Sequence, residues 1–162
     1  MATHDINYVI DAVADGIGLV SQIPVIRGNQ NRTPMPDEPF TCLTEMFHED
    51  LETPHYKFDG AQNTVELRQP YRVTIQADVY GDGACNIAST LVAAMNSAVF
   101  NDHMPADVQI LFCGDLKQAT MVDAQDQFLE RWNFLIQAQH NPILELPQEH
   151  ADVAVVTLHG AQ

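Results

Sequence analysis

An α/β or α+β domain is the fold class this sequence predicts, and residues 65–100 carry most of the prediction. The first observation is an alternation. Val65, Leu67, Gln69, Tyr71, Val73, Ile75, Ala77 and Val79 take odd positions, and Glu66, Arg68, Pro70, Arg72, Thr74, Gln76, Asp78 and Tyr80 take even ones. Side chains alternate across a strand, so one face is apolar and the other polar. Pro70 has no amide hydrogen to give a ladder and marks a bend, a bulge or an edge. The second observation is a change of period after Gly81-Asp82-Gly83. Ala84, Ile87, Ala88, Leu91, Met95, Ala98 and Val99 recur at helical spacing, with Asp82 or Gly83 placed to cap the first turn. A long strand feeding a helix through a tight turn is the scaffold of such a domain.

The third observation is size. The 162 residues predict one domain, large enough to bury a core without covalent staples. No apolar run approaches the roughly 18 residues of a membrane span, and Met-Ala-Thr-His-Asp has no basic start, so neither a signal peptide nor a membrane partner is expected. Cys42, Cys85 and Cys113 are odd in number and far apart, which suggests a reducing compartment rather than a disulfide framework. Charge is the unusual total. Seven Lys and Arg stand against 22 Asp and Glu, a net −15. Such a surface repels nucleic acid at long range. It serves solubility in any case; the sharper reading is a surface that must not stick to nearby DNA.

Before the central strand, Thr3 can cap a helix with Asp5 in its first turn, and Ile6, Val9, Ile10, Val13 and Ile17 form its apolar stripe. Gly16 and Gly18 are expected to loosen its end. Residues 23–26 suit a short strand, and residues 28–39, with three prolines, a loop. Residues 40–58 alternate imperfectly around Glu49-Asp50-Leu51-Glu52-Thr53-Pro54, which suggests two strands about an acidic connection, arranged as a protruding hairpin. Residues 59–63 turn into the central strand.

After the helix, residues 101–105 read as a loop and Val108, Ile110 and Phe112 as a short buried strand. Alternation and aromatics make residues 128–138 a strand rather than a helix. Pro142 and Pro147 bracket an extended segment, and residues 152–158 read as a last strand. The extended C-terminal stretch, about 141–162, is too weakly amphipathic to fold alone and is expected to pack on a neighbour.

Catalytic motifs are scarce, and neither a catalytic residue, a metal ligand nor a cofactor is assigned. The seven histidines form no His-x-His, His-x-x-His or His-Glu-x-x-His pair. The segment from Asp78 to Gly83 starts like a calcium loop but puts Tyr80 where the third position needs an oxygen ligand, and Ser89 where the twelfth needs Glu. Gly16-Ile17-Gly18 ends a helix, so it cannot cradle a dinucleotide phosphate. Cys85 at a helix start could be an activated thiol, but a small buried side chain is the commoner role. Arg68 and Arg72 flank Pro70 and could pair with a neighbouring subunit's acids. In Glu130-Arg131-Trp132, the tryptophan suits a core or an interface and Arg131, on the other face, an interface anchor.

Three blocks resemble the phage neck or tail-terminator proteins of tailed phages and prophages. They are residues 73–82 leading into the alanine-rich helix, Glu130-Arg131-Trp132 with its alternating strand, and His140-Asn141-Pro142 through Leu146-Pro147-Gln148, in that order. Residues 40–58 match no part of the family's pattern. The resemblance implies a twisted, mostly antiparallel sheet flanked by two main helices. It implies a non-enzymatic virion protein that assembles with itself as a ring, six copies being the expected number. The ring would cap the tail tube and join it to the head–tail connector or stopper protein, with DNA passing through the lumen unbound. Under this reading Asn141 and Pro142 join Arg68, Arg72, Arg131 and Trp132 as candidate interface residues, and Glu45, Glu49, Asp50 and Glu52, the densest acidic run, are candidate lumen residues. The alternatives are a head-completion adaptor or stopper, a small metal-dependent hydrolase using scattered His, Asp and Glu, and an acidic DNA mimic.

Overall fold

The computed structural model describes residues 6–30, 34–119, 121–122 and 128–147. The first apolar stripe becomes helix α1 (Ile6–Ser21), with Val9, Ile10, Val13 and Ile17 buried. The helix runs through Gly16 and Gly18 instead of loosening there, because Gly16 is a packing residue. A Cβ on it would stand 2.6 Å from the Phe100 ring and 2.7 Å from the Met104 methyl. The expected caps, Thr3 and Asp5, lie outside the described residues. Strand β1 (Val25–Arg27) then runs parallel to β2 (Phe40–Asp50).

Residues 40–58 do contain two strands, but not a hairpin. β2 pairs antiparallel with β5 (Tyr71–Tyr80), whereas β3 (His55–Asp59) pairs with β4 (Thr64–Arg68). The acidic run does not end β2 at Glu49, because Glu49 faces Arg72 across the ladder and gains a partner there. Pro70 divides the predicted long strand more sharply than a bend would. Its residues before the proline join one sheet and those after it another.

The change to helical period gives α2 (Ala84–Met95), with Ala84, Ala88, Leu91 and Met95 buried. Its entry is Gly83 at φ 78°, a left-handed backbone that glycine adopts without strain. The helix stops earlier than the period predicts: Ser97 accepts a hydrogen bond from Phe100 N and caps a separate short helix, α3 (Ala98–Asn101), leaving Val99 exposed.

Strand β6 (Val108–Gln118) is longer than the three-residue pattern implied. A register shift between Ile110 and Phe112 turns Phe112 outward and Cys113 inward, so Val108, Ile110 and Cys113 are buried instead. A two-strand ribbon of β7 (Met121–Val122) and β8 (Phe128–Leu129) precedes β9 (Arg131–His140). In β9, Phe134, Ile136, Ala138 and His140 are buried, as alternation requires. Strand β10 (Ile143–Pro147) pairs with β4, so this part of the C-terminal stretch finds its partner within the chain. The strand expected at residues 152–158 lies outside the described residues.

The result is α+β. A five-stranded sheet in the order β1-β2-β5-β9-β6 is antiparallel except at β1, and a three-stranded antiparallel sheet is ordered β10-β4-β3. Both long helices cover the same face of the large sheet, α1 over β1, β2 and β5, and α2 over β5, β9 and β6. The core lies between them: Val73, Ile75, Val79, Leu91, Met95 and Phe134 are buried, and Trp132 is half-buried at its margin. The Cys113 thiol is pushed up to about 12 by burial. A thiol reagent near neutral pH is therefore expected to label Cys113 only on unfolding. Labelling in the native protein at the rate of half-buried Cys85 would contradict this core assignment.

Candidate assembly surfaces

Glu130-Arg131-Trp132 is an organising knot at the start of β9. Glu130 reaches across to α2 and accepts from Gly83 N at 3.0 Å and Cys85 N at 3.2 Å. It satisfies amides that the left-handed Gly83 cap leaves without a side-chain partner. Trp132 Nε1 donates to the same carboxylate at 3.1 Å and holds it in place. Glu130→Ala should thus destabilise the fold by about 1 kcal/mol or slightly more, the usual effect of losing an N-cap. A thermal scan of the variant that overlays the wild type would count against the capping role.

Arg131 lies on the opposite face, which neither long helix covers. Its Nε and Nη2 donate to Asp78 Oδ1 at 3.0 and 2.9 Å, Gln76 Nε2 donates to Asp78 Oδ2 at 2.8 Å, and the guanidinium sits 5.3 Å from the Tyr80 ring centre. Tyr80 in turn stacks on Phe40 at 4.8 Å. Burial pulls the Arg131 guanidinium downward, but the hydrogen bond and charge of Asp78 outweigh it and leave the group above its ordinary value. Burial, followed by the Asp78 charge, pushes the Tyr80 hydroxyl up. Arg131 is therefore a cross-strand anchor within its own chain.

The other candidates gather mainly where the two sheets meet. Three connections join them, through residues 51–54, 69–70 and 141–142, and each contains one proline: Pro54, Pro70 and Pro142. Proline fixes φ and stiffens such joints. Between them lies a cleft of about 630 Å³ whose lining includes Glu52, His55, Arg68, Pro70, Asp107 and Asn141. Arg68 is tied along its own strand to Glu66. Arg72 instead binds Glu49 across the large sheet, Nε to Oε2 at 2.9 Å.

The lumen candidates do not share one face. Register sets Glu45 opposite Ile75, Glu49 opposite Arg72 and Asp50 opposite Tyr71, while Glu52 lines the cleft. Glu45 is half-buried and the other three are exposed.

Behind the cleft is a polar cluster that the sequence did not disclose. His140 Nε2 contacts Asp107 Oδ2 at 3.0 Å and its Nδ1 contacts the Tyr71 hydroxyl at 2.5 Å. With Nε2–H donating to the carboxylate, Nδ1 accepts a hydrogen bond from the Tyr71 hydroxyl. Tyr8 donates to Asp107 Oδ1 at 3.0 Å, and burial and that bond push its hydroxyl up. Tyr71 and His140 are wholly buried, so neither presents a reacting atom to the cleft. The cluster instead ties α1, β5 and β9 to the turn before β6. Its members lie 33, 69 and 99 residues apart, beyond any local motif.

Among the described residues no group of three or more His, Cys, Asp or Glu is placed to hold a metal, and no helix is long and apolar enough to cross a membrane.

Two apolar surfaces also escaped the sequence reading. In the small sheet, register aligns Tyr56 with Leu67 and Leu144, and Phe58 with Val65 and Leu146. One face is thus apolar in every position, while the opposite face carries Lys57, Glu66, Glu145 and Arg68. Alternation in residues 55–59 and 143–147 was the available signal, short and interrupted by turns. The second surface is a groove of about 220 Å³ between the C-terminal half of α1 and α3, lined by residues including Leu19, Val20, Val99, Phe100 and His103.

No curated protein matches the chain. Residues 6–161 match the family described as phage neck terminator protein, nearly the whole chain, and the protein belongs to that family.

Proposed function

We propose that the protein is the subunit of a ring that caps the tail tube at the phage neck and joins it to the head–tail connector, with the genome passing through the lumen. Membership of the neck terminator family over residues 6–161 carries this reading and makes the chain a structural virion component. The ring, its partners and its lumen are the proposed part. Six copies of one domain spanning residues 1–162 would close it through a repeated heterologous contact. Arg68 and Asn141, which line the cleft between the sheets, are the proposed contacts with a neighbouring neck protein, whereas Pro142 is buried and would shape the joint rather than touch a partner. Arg72, Arg131 and Trp132 act mainly within the subunit, since each has a partner there.

Charge supports the same reading. A channel that passes a polyanion without retaining it must avoid cationic walls, because lysine or arginine contacts with phosphates release counterions and bind. The net −15 satisfies this, and with a screening length of about 8 Å only residues near the wall contribute. Of Glu45, Glu49, Asp50 and Glu52, the exposed Asp50 and Glu52 should contribute most, since Glu49 is balanced by Arg72. The expected result is that Asp50→Lys with Glu52→Lys slows genome ejection from assembled particles while wild-type protein shows no duplex DNA binding at moderate salt. Ejection kinetics identical to wild type in particles that contain the variant would remove these residues from the channel wall.

A further inference from the structure

The two edges of the large sheet, β1 and β6, are protected in different ways. β1 has only 3 residues, which leaves little backbone for another strand to pair with. β6 has 11 residues, and its first half has the composition that favours strand addition. Val108-Gln109-Ile110-Leu111-Phe112-Cys113 contains no charge, no proline and no glycine, and Leu111 and Phe112 are each 44 % exposed. An edge of this kind pairs readily with another chain unless something blocks it.

Two asparagines block it. Asn101, the last residue of α3, accepts from Ile110 N at 2.7 Å and donates from Nδ2 to Ile110 O at 3.3 Å. Asn96, the cap of α2, accepts from Cys113 N at 3.0 Å and donates from Nδ2 to Cys113 O at 2.6 Å. Each side-chain amide thus makes the two hydrogen bonds that one residue of a neighbouring antiparallel strand would make. Val108 N is occupied as well, by Pro105 O at 2.9 Å. Asn96 is held in place, because its Nδ2 also donates to Val92 O at 2.9 Å. Past Cys113 the protection changes. Asp115 has φ 58° and the register shifts between Gly114 and Lys117, irregularities that turn an edge away from a flat partner. Fastening the α2–α3 corner to the sheet would need no such pairing. Here both asparagines take the donor and the acceptor of one residue, on either side of the irregularity between Ile110 and Phe112.

We propose that the β6 edge is a latent pairing surface for the β6 of a second copy, and that Asn96 and Asn101 hold it shut. Two copies meeting there antiparallel would merge their large sheets about a two-fold axis. Such a contact uses the same patch on both copies and ends at a pair, so by itself it cannot build a ring. Closing it leaves copies to associate through other surfaces. The inference stands independently of the ring reading.

Asn96→Ala with Asn101→Ala in the full-length protein opens the edge, and circular dichroism checks that the fold is kept. Sedimentation velocity at equal concentrations should show the variant in species about twice the mass of the wild-type ones, or larger. Adding Leu111→Lys should abolish this extra association without restoring the lost stability. The lysine brings like charges together across the pair but replaces none of the lost hydrogen bonds. A folded double variant that sediments as wild type, or association that survives Leu111→Lys, overturns the proposal. Hydrogen exchange on the wild-type protein decides the matter if the double variant does not fold. The Ile110 and Cys113 amides should exchange about tenfold or more slower than in a free peptide of residues 108–118. Exchange at the peptide rate would show an open edge and overturn the proposal.

Discussion

Leu91→Ala is expected to lower the free energy of unfolding by about 2–5 kcal/mol, the range for deleting a buried leucine side chain from a packed core. Leu91 is wholly buried on α2, on the same face as Ala84, Ala88 and Met95, over the central strands β5 and β9. Its loss removes apolar burial and leaves a void that neighbours on two strands and two helices cannot readily fill. Chemical denaturation with an unchanged slope would attribute the shift to stability alone. A change under about 0.5 kcal/mol, ordinary for a surface position, would remove Leu91 from the core.

Asp78→Ala should be the next most damaging substitution, costing about 2 kcal/mol. That figure lies between the small worth of exposed ion pairs and the larger penalty of orphaning a buried charge. Both cases apply in part, since the Asp78 side chain is 5 % exposed and that of Arg131 28 %. The alanine variant strips the carboxylate that three donor groups converge on and leaves Arg131 partly desolvated over Tyr80. Adding Arg131→Met should recover part of the loss, because much of the damage is the stranded guanidinium. A double variant whose destabilisation equals the sum of the two singles would show that the pair is not coupled.

These two residues illustrate what the sequence could and could not disclose. Leu91 follows a local helical period, and the odd positions of β5 follow a local alternation, so both burials can be read from neighbours within a few residues. Asp78 takes an even position on the same strand, which marks it as solvated by alternation, yet it is buried because Arg131 arrives from 53 residues away. The capping of α2 by Glu130 has the same character, since its amide partners stand 45 and 47 residues upstream. The hairpin expected at residues 40–58 does not form because both strands choose partners further along the chain: His48 faces Val73, and His55 faces Arg68. Alternation puts Phe112 in the core, and the shift in register at β6 reverses its side. The candidate surfaces were legible only in part. Glu52, Arg68 and Asn141 do converge on one cleft, whereas the apolar face of the small sheet exists only once β3, β4 and β10 are aligned.

Electron cryo-microscopy of the neck of assembled particles tests the central claim most directly. The proposal predicts a closed ring of this chain, six copies around a DNA-wide lumen, seated between the end of the tail tube and the connector. Density for the chain as isolated monomers on the outside of the neck, or a neck ring built wholly of other proteins, would contradict it.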